Sequence, residues 1–274
     1  MAGEPRTVIV SDTHLGRSGP VTAVSLRPLW EGFDRVVING DVAEVQIPRL
    51  RAAAAREVQA LQRFADHDGV ELVLISGNHD AYLSDTRHLT MLDDQVLVTH
   101  GDVLHPAVAP WTHSAAHMKV ATTTAMAESS PQDHHCIDYR LALSQHVSHT
   151  EFLHERMQRH DGGVGLLEMA LCPWRVVALL HYWWKVPDLA ALFAQQCCPQ
   201  AQVVVFGHSH RQGIWQRRGK VILNTGSFSF PGRPRAVVVE GSRVEVRDIV
   251  RRQDGYRIGP QVRMQMHLPE SQAA

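Results

Sequence analysis

Seven side chains able to hold a cation follow short apolar runs in this chain. Asp12 and His14 come after Val8-Ile9-Val10, Asp41 after Val36-Val37-Ile38, Asn78 after Leu72-Val73-Leu74-Ile75, and His100 after Val96-Leu97-Val98; His208 and His210 come after Val203-Val204-Val205-Phe206. Each run has the length and β-branched content of a buried strand. Glycine accompanies the candidates in Gly40-Asp41, Gly77-Asn78-His79-Asp80, His100-Gly101-Asp102 and Gly207-His208-Ser209-His210, as expected where a strand turns sharply. Five strands ending in Asp, Asn or His predict a metal site collected at one edge of a sheet. Seven donors exceed the needs of one tetrahedral ion and suit two ions of five- or six-fold coordination, with Asp41 placed to bridge. Mixed imidazole and carboxylate donors favour Mn, Fe, Zn or Co over Ca or Mg. Two such ions about 3.5–4 Å apart can bind the oxygens of a phosphoryl group and deprotonate a bridging water.

The elements that must position these residues read as an α/β fold. A helix begins near Pro48, continues to about His67 with Leu50, Ala54, Val58, Leu61 and Ala65 on one face, and stops at Gly69. The strand–helix–strand order argues for parallel pairing with a right-handed crossover, which puts the loops of Asp12, Asp41 and Asn78 at the same end. From about Leu104 to Gln196 no strand-like run occurs, and we read an inserted, mostly helical cap over 105–196. The sheet pattern resumes over Ala201–Phe206, Lys220–Asn224, Ala236–Val239 and Arg243–Ile249, with Gly241-Ser242 as a hairpin turn. The core is therefore expected over 1–104 and 197–252. The polar segment 253–274 is expected to be a flexible tail.

Composition bounds the function. A 274-residue chain with 44% hydrophobic and 20% charged residues is globular, and a formal net charge of -1 gives no general affinity for nucleic acid or acidic membranes. Cys136, Cys172, Cys197 and Cys198 lack a zinc-type spacing, Met1–Arg6 leads straight into a strand without a signal peptide, and no spanning segment is evident. A cytoplasmic location is expected, peripheral to the inner membrane if the cap meets lipid. Of 18 histidines, ten lie between His105 and His181; their helical spacings read as a polar helix face, not as a third metal site.

The set Asp12-x-His14, Gly40-Asp41, Gly77-Asn78-His79-Asp80, His100-Gly101-Asp102 and Gly207-His208-Ser209-His210 resembles the calcineurin-like metallophosphoesterase superfamily, in the family's order from residue 7 to 249. The resemblance implies a four-layer α/β/β/α sandwich. It also implies one metal on Asp12, His14, Asp41 and His210, and a second on Asp41, Asn78, His100 and His208. His79 would contact the phosphate from outside the metal shell and protonate the leaving oxygen, and Asp80 would orient its ring. Asn224-Thr225-Gly226-Ser227 looks like the family's turn behind the site. Asp102 and Glu44 are second-shell or surface carboxylates on this reading.

Asp12-Thr13-His14-Leu15-Gly16, Gly40-Asp41-Val42-Ala43-Glu44 and the helical insertion look like the UDP-2,3-diacylglucosamine hydrolase branch, which cleaves a pyrophosphate in lipid A synthesis. The chain departs from that branch in having His79 where Arg is usual. Leu166–Pro187 is apolar, divided by Pro173 and bordered by Trp174, Tyr182, Trp183 and Trp184 with Arg175 and Lys185, which suits an acyl groove, a membrane interface or plain packing onto the core. The expected activity is dinuclear hydrolysis of a phosphoester or pyrophosphate by attack of a bridging hydroxide. The alternatives are a general phosphodiesterase or phosphatase of small soluble substrates and a non-catalytic scaffold; a complete ligand set with His79 favours the enzyme.

Overall fold

The apolar runs form the strands expected of them. The computed structural model describes residues 4–158, 172–229 and 232–269. It divides into two compact units, Met1–His100 with Gln200–Ala274, and Gly101–Pro199.

The first unit is built on two mixed sheets. One has β1 (Thr7–Val10), β2 (Arg35–Asn39), β3 (Glu71–Ile75), β9 (Arg235–Glu240), β10 (Arg243–Arg252) and β11 (Gly255–His267), in the order β11-β10-β9-β1-β2-β3. The other has β4 (His88–Met91), β5 (Val96–Thr99), β6 (Val203–Phe206), β7 (Gly213–Arg217) and β8 (Lys220–Asn224), in the order β4-β5-β6-β8-β7. β1, β2 and β3 pair in parallel, as do β5, β6 and β8. Alternation decides which sheet face each residue serves. Val8, Val10, Val36 and Ile38 are packed with Ala54 and Leu61 of α2 (Pro48–Asp68) and with Leu26 of α1 (Ala23–Leu26). Ile9, Val37 and Ile75 face the other way, onto Val96, Val98, Val203, Val205 and Leu223. The expected α/β class therefore holds, with two sheets packed face to face. α2 starts on Pro48 and ends on Gly69, whose φ of 68° lets its N–H reach Ala65 O and Asp66 O.

The segment expected to be a flexible tail is instead largely β11, a 13-residue edge strand paired along β10. Its polar residues conceal a period-two pattern, Tyr256, Ile258, Val262, Met264 and Met266, of which Met264 and Met266 pack on the inter-sheet core.

The second unit carries α3 (Ala115–Glu128), α4 (Ile137–Gln158) and α5 (Pro173–Cys197) after a 3₁₀ turn at Asp102–Leu104, and no strand among its described residues. Asp102 is buried there and accepts a 2.8 Å hydrogen bond from Ser144 Oγ. Arg140 of α4 stacks over Phe193 of α5, and the buried Tyr182 ring lies against His105 and Trp111. Pro173 opens α5, but Leu166–Leu171, the first part of the apolar stretch, lies outside the described residues. The cationic border expected on that stretch needs correction at Arg175, which is 3% exposed, whereas Lys185 is exposed over the Trp184 ring. Among the described residues no helix is long and apolar enough to cross a membrane.

Candidate metal centre

The site lies at the C-terminal ends of strands from both sheets, not at the edge of one. β1, β2 and β3 lead to Asp12, His14, Asp41 and Asn78; β5 and β6 of the other sheet lead to His100, His208 and His210. The first two loops are knitted by Asp12 N to Gly40 O (3.1 Å), His14 N to Asp41 O (2.9 Å) and Leu15 N to Val42 O (2.8 Å). Asn224, Thr225, Gly226 and Ser227 brace the β1 and β6 loops from behind. Asn224 Nδ2 donates to Gly207 O (2.7 Å) and Ser209 Oγ (3.0 Å), and Ser227 Oγ donates to Asp12 O (3.2 Å). Asp12, His14, Asp41, His208 and His210 all have φ between 48° and 61°, the left-handed region that side chains avoid. Such strain, of order 1–3 kcal/mol per residue, persists where the surrounding structure dictates the geometry and clusters at functional sites.

Seven sequence-predicted donors converge. One oxygen or nitrogen from each of Asp12, His14, Asp41 and His210 lies within 4.8 Å of the others, and so do donors of Asp41, His100 and His208. Asn78 Oδ1 is 2.9 Å from His208 Nδ1 and 3.3 Å from His100 Nε2. The two groups share Asp41, which is 1% exposed. Acceptors face acceptors here. His100 donates through Nδ1 to Asn39 O (3.1 Å), so its Nε2 lone pair points at Asp41 Oδ1 and Asn78 Oδ1, both 3.3 Å away. His14 donates through Nδ1 to Glu44 Oε1 (2.8 Å), leaving its Nε2 lone pair 3.1 Å from His210 Nε2. Cations resolve such an arrangement, and the residues present fit two of them.

The electrostatics agree. Burial holds His14 at a pKa of about 4, so it stays neutral as a ligand must. Burial raises Asp12 and Asp41, yet positive charge on the neighbouring histidines, His210 for Asp12 and His100 and His79 for Asp41, holds both below the usual carboxylate range, a charge that cations would supply when the ligand rings are neutral. Burial and the Asp41 charge push Asp80 up to about 7.

Two carboxylates exchange roles relative to the sequence reading. Asp80 does not hold the His79 ring: its oxygens accept from the backbone N–H groups of Val42 (2.6 Å), Ala43 (3.2 Å) and Gly77 (2.7 Å), clamping two loops together. Glu44, which the sequence leaves undecided, is fully buried and takes that place. Its oxygens reach His79 Nδ1 (3.1 Å) and His14 Nδ1 (2.8 Å), and Arg17 pairs with it. Burial opposes a charge on both Glu44 and His79. Their attraction wins, so Glu44 lies well below the carboxylate range and His79 is raised to about 9. His79 is 36% exposed in its side chain, anchored from below by its N–H on Asp41 Oδ1 (2.9 Å).

Residues 150–242, about a third of the chain, match the family model of the calcineurin-like phosphoesterase superfamily domain, a span that contains His208 and His210. Over that span the chain is similar to the calcineurin-like phosphoesterase superfamily domain. Among solved structures, the chain is similar to an uncharacterised Streptococcus pneumoniae protein described as a predicted phosphoesterase (15% identity, 98% and 99% of the two chains, TM-score 0.43). It is also similar to a dimetal phosphatase of Danio rerio (13%, 89% and 96%, TM-score 0.45) and to Entamoeba histolytica Vps29 complexed with zinc (11%, 94% and 98%, TM-score 0.45). A search of curated proteins gives no match.

Proposed function

We propose that the protein hydrolyses a phosphoester or pyrophosphate with two divalent transition metal ions, manganese foremost. The observation that carries this reading is the pair of donor groups sharing Asp41. Asp12, His14, Asp41 and His210 would hold one ion; Asp41, Asn78, His100 and His208 would hold the other. Bound there, the ions would supply positive charge to the phosphoryl oxygens and acidify a water. The chain's own contribution is orientation and proton transfer. His79 stands outside the two ligand groups that share Asp41, partly exposed, and keeps its proton at neutral pH because Glu44 faces Nδ1. It is suited to donate that proton to the departing oxygen. Glu44 orients the His79 ring and fixes the tautomer of His14, coupling the acid to the ligand shell. Four cysteines outside any disulfide suit a reducing cytoplasm.

The test is metal content beside hydrolysis. Manganese-replete protein should carry two equivalents per chain and cleave bis-p-nitrophenyl phosphate or p-nitrophenyl phosphate. Asp41→Asn should lose most metal and activity, because an amide bridges two cations poorly. One equivalent or fewer in the wild type would remove the dinuclear reading.

The substrate reading we favour is a lipid-linked or nucleotide-sugar phosphoester, as in the UDP-2,3-diacylglucosamine hydrolase branch. The support is one face of α5, where Trp174 (68% exposed), Val177 (64%) and Trp184 (68%) recur at intervals of three and seven residues, with Lys185 over the Trp184 ring. Apolar surface with an aromatic and cationic border suits acyl chains or a lipid interface. Trp174→Ser with Trp184→Ser should raise KM for a lipid-linked ester more than tenfold and leave a small soluble ester nearly unchanged, each indole being worth about 2 kcal/mol of burial. Equal kinetics on both esters would leave the general phosphodiesterase or phosphatase reading in its place.

A further inference from the structure

The helical unit contains a buried cation that the reaction above does not use. Arg175 is the third residue of α5 and is 3% exposed, and its Nη1 and Nη2 have no hydrogen-bond partner. A guanidinium out of water whose two terminal nitrogens find no acceptor is among the least favourable groups a fold can bury. Arginine cannot escape by losing its proton. Its immediate surroundings increase the imbalance. α5 is 25 residues long, its N-cap Cys172 supplies no side-chain cap, Pro173 occupies the first helical position, and the first turn contains no acidic residue. The N-terminus of a helix carries a partial positive charge from its unsatisfied N–H groups. Pro173 has no N–H and the Arg175 N–H is already bonded to Cys172 O (2.9 Å), so the helix end contributes its dipole and the guanidinium contributes the unpaired donors.

We propose that Arg175 and the N-terminus of α5 form a binding site for a phosphate-type oxyanion. The planar guanidinium offers parallel N–H donors that match two oxygens of a phosphate, and the helix terminus adds its dipole to the same charge. None of its residues belongs to the metal centre, so the site holds its anion without metal. The reading is therefore independent of the dinuclear one. The anion is either a second phosphate carried by the substrate or free inorganic phosphate, and the chemistry of capture is the same.

The experiment uses full-length protein stripped with EDTA and dialysed, titrated with inorganic phosphate by calorimetry and followed by thermal melting. Wild type should show one saturable site and melt at higher temperature when phosphate is added. Arg175→Met, which keeps the length and apolar stem but removes the charge, should weaken binding at least tenfold and abolish the phosphate-dependent shift. Without phosphate it should melt no lower than wild type, because it removes an uncompensated buried charge. Arg175→Lys should keep part of the affinity. The proposal is overturned if stripped wild type takes up no phosphate, or if Arg175→Met binds as wild type does. It is equally overturned if Arg175→Met melts far below wild type with or without phosphate, since Arg175 would then be satisfied inside the chain. The source follows from the metal-loaded enzyme. A KM increase in Arg175→Met for an ester carrying a second phosphate, but not for p-nitrophenyl phosphate, identifies a substrate group. Unchanged KM for both, with loss of the response to added phosphate, identifies the free ion.

Discussion

Glu44 is where residue chemistry and site geometry meet. One buried carboxylate accepts from a ligand-type histidine with one oxygen and from His79 with the other. Removing either partner has a different signature. His79→Gln should keep its metal, since the ring is outside both donor groups, and lose turnover by roughly 10²–10⁴, the usual range for a general acid. The loss should be least for an activated aryl leaving group. Glu44→Gln keeps the shape and deletes the charge that, with Asp41, raises His79 to about 9. Activity that needs protonated His79 falls as pH passes its pKa, so the alkaline limb of the pH–rate profile should move to lower pH in Glu44→Gln. Metal affinity or activity should fall about 10–100-fold, as for other outer-sphere partners of ligand histidines. A Glu44→Gln profile superimposable on wild type would mean that Glu44 does not act on His79.

At the scale of elements, the site depends on strands that end tightly enough for loops from two sheets to interpenetrate. A side chain on Gly207 would collide with Asp12 Oδ2 and the Ser11 side chain, and one on Gly40 would enter the His100 ring. Gly207→Ala must therefore displace Asp12 or the β6 loop, whose Gly207 N donates to His100 O (2.9 Å). It should lose metal from the Asp12 group and destabilise the protein by about 1–3 kcal/mol, the usual cost of overpacking. Normal metal content and melting in Gly207→Ala would show the loop to be more yielding than its contacts suggest. Ligand loops of this kind are legible in sequence because apolar runs drive the strands and the donors sit at their tips. β1, β2, β3, β5, β6 and β8 all coincide with such runs. Other features have no such marker. Edge strands β4 and β7 bury few side chains fully, so they lack the apolar run that betrays a central strand. Glu44 ends a loop with no period of its own, and its role comes from a lone parallel bridge, Leu15 to Ala43, that folds the β2 loop beside the β1 loop. Burial of Arg175 is likewise a product of packing, and its sequence neighbours Trp174 and Pro173 suggest an exposed border instead.

At the scale of the whole molecule, every donor of the candidate centre belongs to one of the two compact units, that of residues 1–100 and 200–274. Metal held there would therefore stabilise that unit. A ligand present at a hundredfold over its Kd stabilises by about 2.7 kcal/mol per site, so two sites are a large fraction of the 5–15 kcal/mol typical of a domain. EDTA treatment should lower the melting temperature of the unit that contains Trp30 and Trp215, and manganese should restore it. If the chain melts in two steps, the step reporting Trp111, Trp174, Trp183 and Trp184 of the helical unit should respond less. The metal-free protein has a pH signature of its own. His79 has a folded pKa raised to about 9 from an ordinary value of 6.5. Its pairing with Glu44 thus contributes stability that is fully present below pH 6.5 and is lost as pH rises through about 9. On the acid side His14, held near 4, resists the charge that the unfolded chain accepts below 6.5, so stability falls there as well. Melting of the stripped protein followed from pH 4 to 10 should decline at both ends, and His79→Gln should remove the alkaline decline alone. If neither transition responds to EDTA and manganese, the two ions are not held by these seven residues.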